Sequence, residues 1–223
     1  MKRALVKVCC ISSLTEAKLA LQAGADLLGL VSEMPSGPGV ISLEKIAGIV
    51  RALPAETRTV LLTSKLNCRD ILDQHNLVKT WGIQIVDNLP LSELEMLRQS
   101  RPNKQLIQVI HIRDKSSVSE ALSYENLVDY ILLDSGNPGA KLRTLGGTGA
   151  IHDWTISREV CLQIAVPVFL AGGLQPDNIV DAQEAVHPFG FDVCSGVRTD
   201  GNLDPKKLAQ FIRAVHDHAG QPQ

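Results

Sequence analysis

From one end to the other, the chain alternates short apolar runs with segments whose apolar residues recur every three to four positions. The runs have strand length, and the periodic segments carry the single apolar stripe of an amphipathic helix. Residues 5–10, 26–31, 59–63, 82–86, 106–112, 130–134, 166–171 and 191–194 read as strands. Residues 15–23, 43–53, 69–78, 91–99, 118–123 and 157–163 read as helices between them. Pro176 and Asp177 open a further helical pattern with Ile179, Val180 and Ala182 on one side, and residues 204–218 close the chain as a helix. Strict strand–helix alternation implies a parallel sheet. Eight such units in 223 residues suit a closed barrel better than an open doubly wound sheet. The expected fold is therefore α/β, a single-domain (βα)8 TIM barrel over residues 1–223. No composition shift or low-complexity segment marks a second domain, and residues 220–223 read as a frayed end.

Within that frame, two places draw attention. The seventh apolar run ends at Gly172-Gly173, and the eighth at Ser195-Gly196-Val197. Glycine lets the backbone approach a ligand closely, and N–H groups at a helix start carry partial positive charge. The loops after strands 7 and 8 of a βα barrel are a frequent phosphate site. Two such loops in succession point to a phosphorylated ligand; the plainer alternative is that the glycines only turn and cap the chain. The rim of the barrel supplies the second place. Strand 1 ends in Cys9 and Cys10, which as strand neighbours should point to opposite faces, one inward and one toward the helices. Strand 6 ends in Asp134, an acid after an apolar run, although aspartate is also a common turn and cap former. A thiol and a carboxylate across one barrel mouth, above a phosphate cradle, form an acid–base pair. Lys7 should share the face of Cys9, either holding a thiolate or paired with a carboxylate. His111 ends strand 5, where it either faces the site or is a satisfied structural histidine.

Composition narrows the partners. A formal charge of −2 offers no electrostatic case for nucleic acid or an anionic membrane. No apolar run approaches the length of a membrane span. Lys7 interrupts the apolar start of MKRALVKVCC, which argues against a signal peptide. The five cysteines are odd in number and lack CxxC spacing, which argues against a disulfide framework and against a zinc site. A cytoplasmic enzyme acting on a small phosphorylated molecule is the expectation.

Several stretches then resemble the phosphoribosylanthranilate isomerase family, the barrel enzymes of tryptophan biosynthesis. They are Lys7-Val8-Cys9, Ala23-Gly24-Ala25-Asp26, Leu132-Leu133-Asp134-Ser135, Gly146-Gly147-Thr148-Gly149 with Asp153-Trp154, the run from Leu170 to Asn178, and the run from Asp192 to Val197. The resemblance covers nearly the whole chain, in order. It implies an Amadori rearrangement of an N-substituted phosphoribosylamine, aldose to ketose, without metal or cofactor. It makes Asp134 the general acid that opens the furanose ring and Cys9 the base that takes the proton from sugar carbon 2. The phosphate would rest on N–H groups of Gly172, Gly173, Ser195, Gly196 and Val197, with the loop of Gly147 and Thr148. The departures fall at the other end of the ligand. Where the family usually reads Pro-Ser-Ser-Pro-Arg, this chain has Pro35-Ser36-Gly37-Pro38-Gly39, and Val86 replaces a rim histidine. His152 stands where a phenylalanine usually precedes Asp-Trp. Glycine does not replace a bidentate guanidinium, so Arg113, Arg143 or Arg198 would have to hold the anthranilate carboxylate. The alternatives are an isomerase of a different phosphosugar, or a barrel that binds a phosphorylated ligand without turnover.

Overall fold

The computed structural model describes residues 3–136 and 152–218. Eight parallel strands close a barrel in sequence order: β1 (Leu5–Val8), β2 (Leu27–Val31), β3 (Thr59–Thr63), β4 (Gly82–Ile85), β5 (Gln105–His111), β6 (Tyr130–Asp134), β7 (Val168–Leu170) and β8 (Gly190–Val193). Eight helices surround it: α1 (Leu14–Ala23), α2 (Leu43–Ala52), α3 (Cys68–Val78), α4 (Leu91–Ser100), α5 (Ser116–Tyr124), α6 (Trp154–Gln163), α7 (Ile179–Val186) and α8 (Pro205–His218). The expected fold class is the observed one. A 3-10 turn (Ser195–Val197) and a two-stranded ribbon, β9 (Arg198–Thr199) with β10 (Asn202–Leu203), fill the connection between β8 and α8.

Local signals set the element ends. Ser13, Ser42 and Asn67 cap the first three helices by accepting from a backbone N–H three residues on, and Gly24 ends α1 in the left-handed conformation. The strands are apolar on both faces because both are covered. Outward residues such as Val6, Val8, Leu28 and Leu30 pack on the helices. Inward residues, among them Leu27, Val60, Leu62, Ile107, Val109, Leu132 and Phe169, fill the barrel. The seam between β1 and β8 carries a register of Lys7 opposite Asp192, and their side chains meet inside at 2.9 Å.

Two expectations fail here. Cys9 and Cys10 do not face opposite ways: both lie in the inner cluster. The regular strand ends at Val8, and Cys10 takes a left-handed φ of 61°, which turns the chain back over the barrel. The second failure is that no helix begins at Gly172-Gly173. Both glycines have positive φ, Asn178 donates its side-chain amide to Gly173 O, and α7 starts only at Ile179. The loop is built by glycine geometry, not by a helix N-terminus.

Candidate active site

A cleft of about 710 Å³ opens at the C-terminal mouth of the barrel. Its walls include Cys9, Cys10 and Cys194 on one side, Asp134 on another, Gly172, Gly173 and Ser195 along the rim, and Gln84, Leu62, Val86 and Val109 below. The first and sixth strands thus bring a thiol and a carboxylate to one cavity.

Cys9 follows β1 directly; its N–H still donates to Val193 O at 2.8 Å, which holds it in line with the barrel wall. Gly29 on β2 gives the thiol its room. A Cβ built there would lie 3.0 Å from Cys9 Sγ and 3.2 Å from its Cα. Asp134 is the last residue of β6. Its Oδ1 accepts from Ser135 N at 2.7 Å, which fixes the carboxyl at the rim and leaves Oδ2 outside that bond. Asp192 sits deeper, on β8, and lines the same cleft. Burial pushes its carboxyl pKa up, and the neighbouring Asp134 charge acts in the same direction, while Lys7 pulls it down. Lys7 is fully buried; burial opposes its charge, but Asp192 and then the Cys9 sulfur outweigh burial and hold it protonated. Gln84 Oε1 and Asp192 Oδ1 are buried with no hydrogen-bond partner among the described residues. Unmet acceptors in a ligand cavity are the groups that sugar hydroxyls satisfy.

The rim loops hold each other. A Cβ on Gly196 would fall 1.9 Å from Leu174 O, so only glycine lets the loop after β8 lie against the loop after β7. Val197 is fully buried and its N–H donates within the 3-10 turn to Cys194 O, so it packs rather than faces the cleft. Gly147, Thr148 and Arg143 lie outside the described residues.

Three candidates from the sequence are placed elsewhere. His111 is buried with Nε2 3.0 Å from Val86 O; it ties β5 to β4 and does not line the cleft. Arg198 pairs with Glu16 at 2.8 Å and donates to Cys10 O at 2.6 Å, so its charge is spent on the protein. Arg113 pairs with Glu120 at 3.3 Å on the surface. Lys7 takes the carboxylate of the two roles open to it. Asp192 received no role in sequence. The sign was there: an acid in the buried strand GFDV, judged by the rule that singled out Asp134. His152 bonds Ser157 Oγ at 2.7 Å, and burial lowers its pKa, so a neutral imidazole stands beside Gly172 and Ser135.

This constellation matches known proteins. A family model for N-(5'phosphoribosyl)anthranilate (PRA) isomerase matches residues 6–214. The chain belongs to that family. It is 30% identical to the N-(5'-phosphoribosyl)anthranilate isomerase of Methanocella arvoryzae over 211 residues, 94% of this chain and 97% of that one. The phosphoribosyl anthranilate isomerase of Thermotoga maritima superposes with a TM-score of 0.81 at 27% identity, covering 95% of this chain and 98% of that one. A phosphoribosyl anthranilate isomerase solved with reduced 1-(o-carboxyphenylamino)-1-deoxyribulose 5-phosphate superposes with a TM-score of 0.79 at 25% identity and the same coverage. Members of the family are isomerase enzymes, and this chain is one by its membership. None of the described helices is long and apolar enough to cross a membrane.

Proposed function

We propose that this chain carries out the Amadori rearrangement of N-(5'-phosphoribosyl)anthranilate, a step of tryptophan biosynthesis, as one barrel acting in the cytoplasm. The observation that carries the reading is that Cys9, Asp134 and the Gly172-Gly173 loop line a single cleft. Asp134, held by Ser135, gives a proton to the furanose ring oxygen. The ring opens to a protonated imine. Cys9 takes the proton from sugar carbon 2, and the resulting enolamine tautomerises to the ketone. Each transfer is a positioned acid–base step of the kind that contributes about 10²–10⁴-fold. Backbone groups of Gly172, Gly173, Ser195 and Gly196, joined by the loop of Gly147 and Thr148, receive the phosphate. Gln84 Oε1 and Asp192 Oδ1 accept from sugar hydroxyls.

A second reading has its own support. The described residues lining the cleft include no Lys, Arg or His to meet an anthranilate carboxylate, while two aspartates are present. A phosphoribosylamine with an uncharged substituent would suit those walls better.

Loss of anthranilate fluorescence separates the readings. Turnover of phosphoribosylanthranilate by the parent, falling about 10²-fold or more in Cys9→Ala and in Asp134→Asn, is the expected result. Substrate binding should survive both changes. A parent that binds ribose 5-phosphate but never turns over the anthranilate compound would move the assignment to the second reading.

A further inference from the structure

Cys10 and Cys194 have no part in the acid–base chemistry, yet their sulfurs lie 2.8 Å apart across 184 positions of sequence. Cys10 follows β1 and Cys194 follows β8, neighbouring strands of the barrel. Adjacent strands run about 4.8 Å apart, inside the Cα range a disulfide spans. A disulfide joins sulfurs at about 2.05 Å, so little movement separates the two thiols from a bond. The pair is reachable from two sides. The substrate cleft touches both sulfur-bearing residues, and a second opening of about 790 Å³, lined also by Ser12, Pro38 and Arg198, meets them from behind.

The two thiols are unequal. The bond from Cys10 lowers the Cys194 pKa, burial opposes it, and the Arg198 charge adds to the lowering. The same bond pushes the Cys10 thiol up, as do the bond with Cys9 and burial. A thiolate beside a protonated thiol is the arrangement of an attacking and a resolving cysteine.

We propose that Cys10 and Cys194 form a reversible redox site that takes hydroperoxides and closes to an intramolecular disulfide. The Cys194 thiolate attacks the distal peroxide oxygen. The O–O bond breaks, an alcohol or water leaves, and Cys194 becomes a sulfenic acid. The Cys10 sulfur then attacks that sulfur and gives up its proton, and the S–O bond breaks with loss of water. Two electrons pass from the thiol pair to the peroxide. The bond removes the thiol that Cys10 donates to Pro38 O at 3.6 Å, which ties the β2–α2 loop over the cleft. It also fixes the residue next to Cys9. Oxidation therefore shuts the site, and dithiothreitol reopens it. The shut-off rests on the functional reading above; the bond itself does not.

The test is hydrogen peroxide titration of the full chain, followed by alkylation of remaining thiols, digestion and mass spectrometry. The expected result is loss of two of the five thiols and a peptide pair joining Cys10 to Cys194, lighter by two hydrogens and restored by dithiothreitol. Phosphoribosylanthranilate turnover should fall in step with the cross-link and return on reduction. Cys194→Ser and Cys10→Ser should both lack the cross-link. Five thiols surviving peroxide, a bond mapped to Cys9, or turnover unaffected by a complete Cys10–Cys194 bond would each overturn the proposal. A parent without anthranilate turnover would sink the functional reading alone, because the cross-link is read by mass.

Discussion

Gly39 shows how one residue can forbid the obvious repair. It stands where relatives in this family carry a carboxylate-binding arginine, so Gly39→Arg looks like a restoration. The backbone says otherwise. Gly39 has φ +78°, and a Cβ built on it would lie 2.5 Å from Cys10 Cβ and 2.9 Å from Cys10 Cα. A side chain there meets a left-handed backbone costing about 1–3 kcal/mol and a collision that no rotamer avoids. Gly39→Arg should therefore lower kcat/KM for the anthranilate substrate and lower the unfolding midpoint. Adding Cys10→Gly, which removes the colliding atoms and suits the φ of 61° at that position, should recover both. Steady-state kinetics and denaturant melts of the three variants check this; a single Gly39→Arg variant with raised kcat/KM would contradict it. The glycine was visible in sequence as a departure. Its cause was not, because the neighbour that demands it lies 29 positions away in the chain.

At the scale of elements, the knot around Glu16 orders the rim. Glu16 on α1 accepts from Ser12 N at 2.8 Å, from Leu203 N at 3.1 Å and from Arg198 at 2.8 Å. It thereby joins the β1–α1 turn, the β9–β10 ribbon and the segment after the Ser195–Val197 turn. Burial raises the Glu16 pKa, but the Arg198 bond and the two backbone donors outweigh it and set it below the ordinary 4.5. A carboxyl lowered on folding stabilises the fold fully above its unfolded value, and the contribution disappears as pH falls through the folded value. Glu16→Gln should lower stability at neutral pH and flatten the loss of stability below about pH 4.5. Urea melts from pH 3 to 7 read both; an unchanged acid limb would place the titration elsewhere. The knot was hidden in sequence. The strands and helices were legible because period-2 and period-3.6 patterns are local, whereas the ribbon and the 3-10 turn depend on partners far along the chain. The same distinction explains Arg198, which residue type alone offered to the substrate and which Glu16 claims.

For the whole molecule, the decisive act is closing β8 onto β1, since a barrel has no edge only once that seam is made. The alternation of eight βα units announced closure, and Cys9 and Asp134 were found by asking which residues end strands. What joins the ends was only half legible: Lys7 was marked, its partner was not. Lys7 and Asp192 face each other across the seam at 2.9 Å, with Lys7 wholly buried and Asp192 8% exposed. A buried pair gains little over apolar packing, yet losing one member strands a charge at a cost of about 3–5 kcal/mol. Lys7→Met should therefore destabilise the barrel by about that amount, and Lys7→Met with Asp192→Leu should regain most of it. The double variant tests function as well as closure, because Asp192 Oδ1 faces the cleft without a partner. Its stability should return while KM for the phosphorylated substrate stays raised. Equilibrium denaturation and steady-state kinetics on the two variants separate the parts. Recovery of both would make the pair a seam alone, and recovery of neither would mean that the barrel needs the ion pair in order to close.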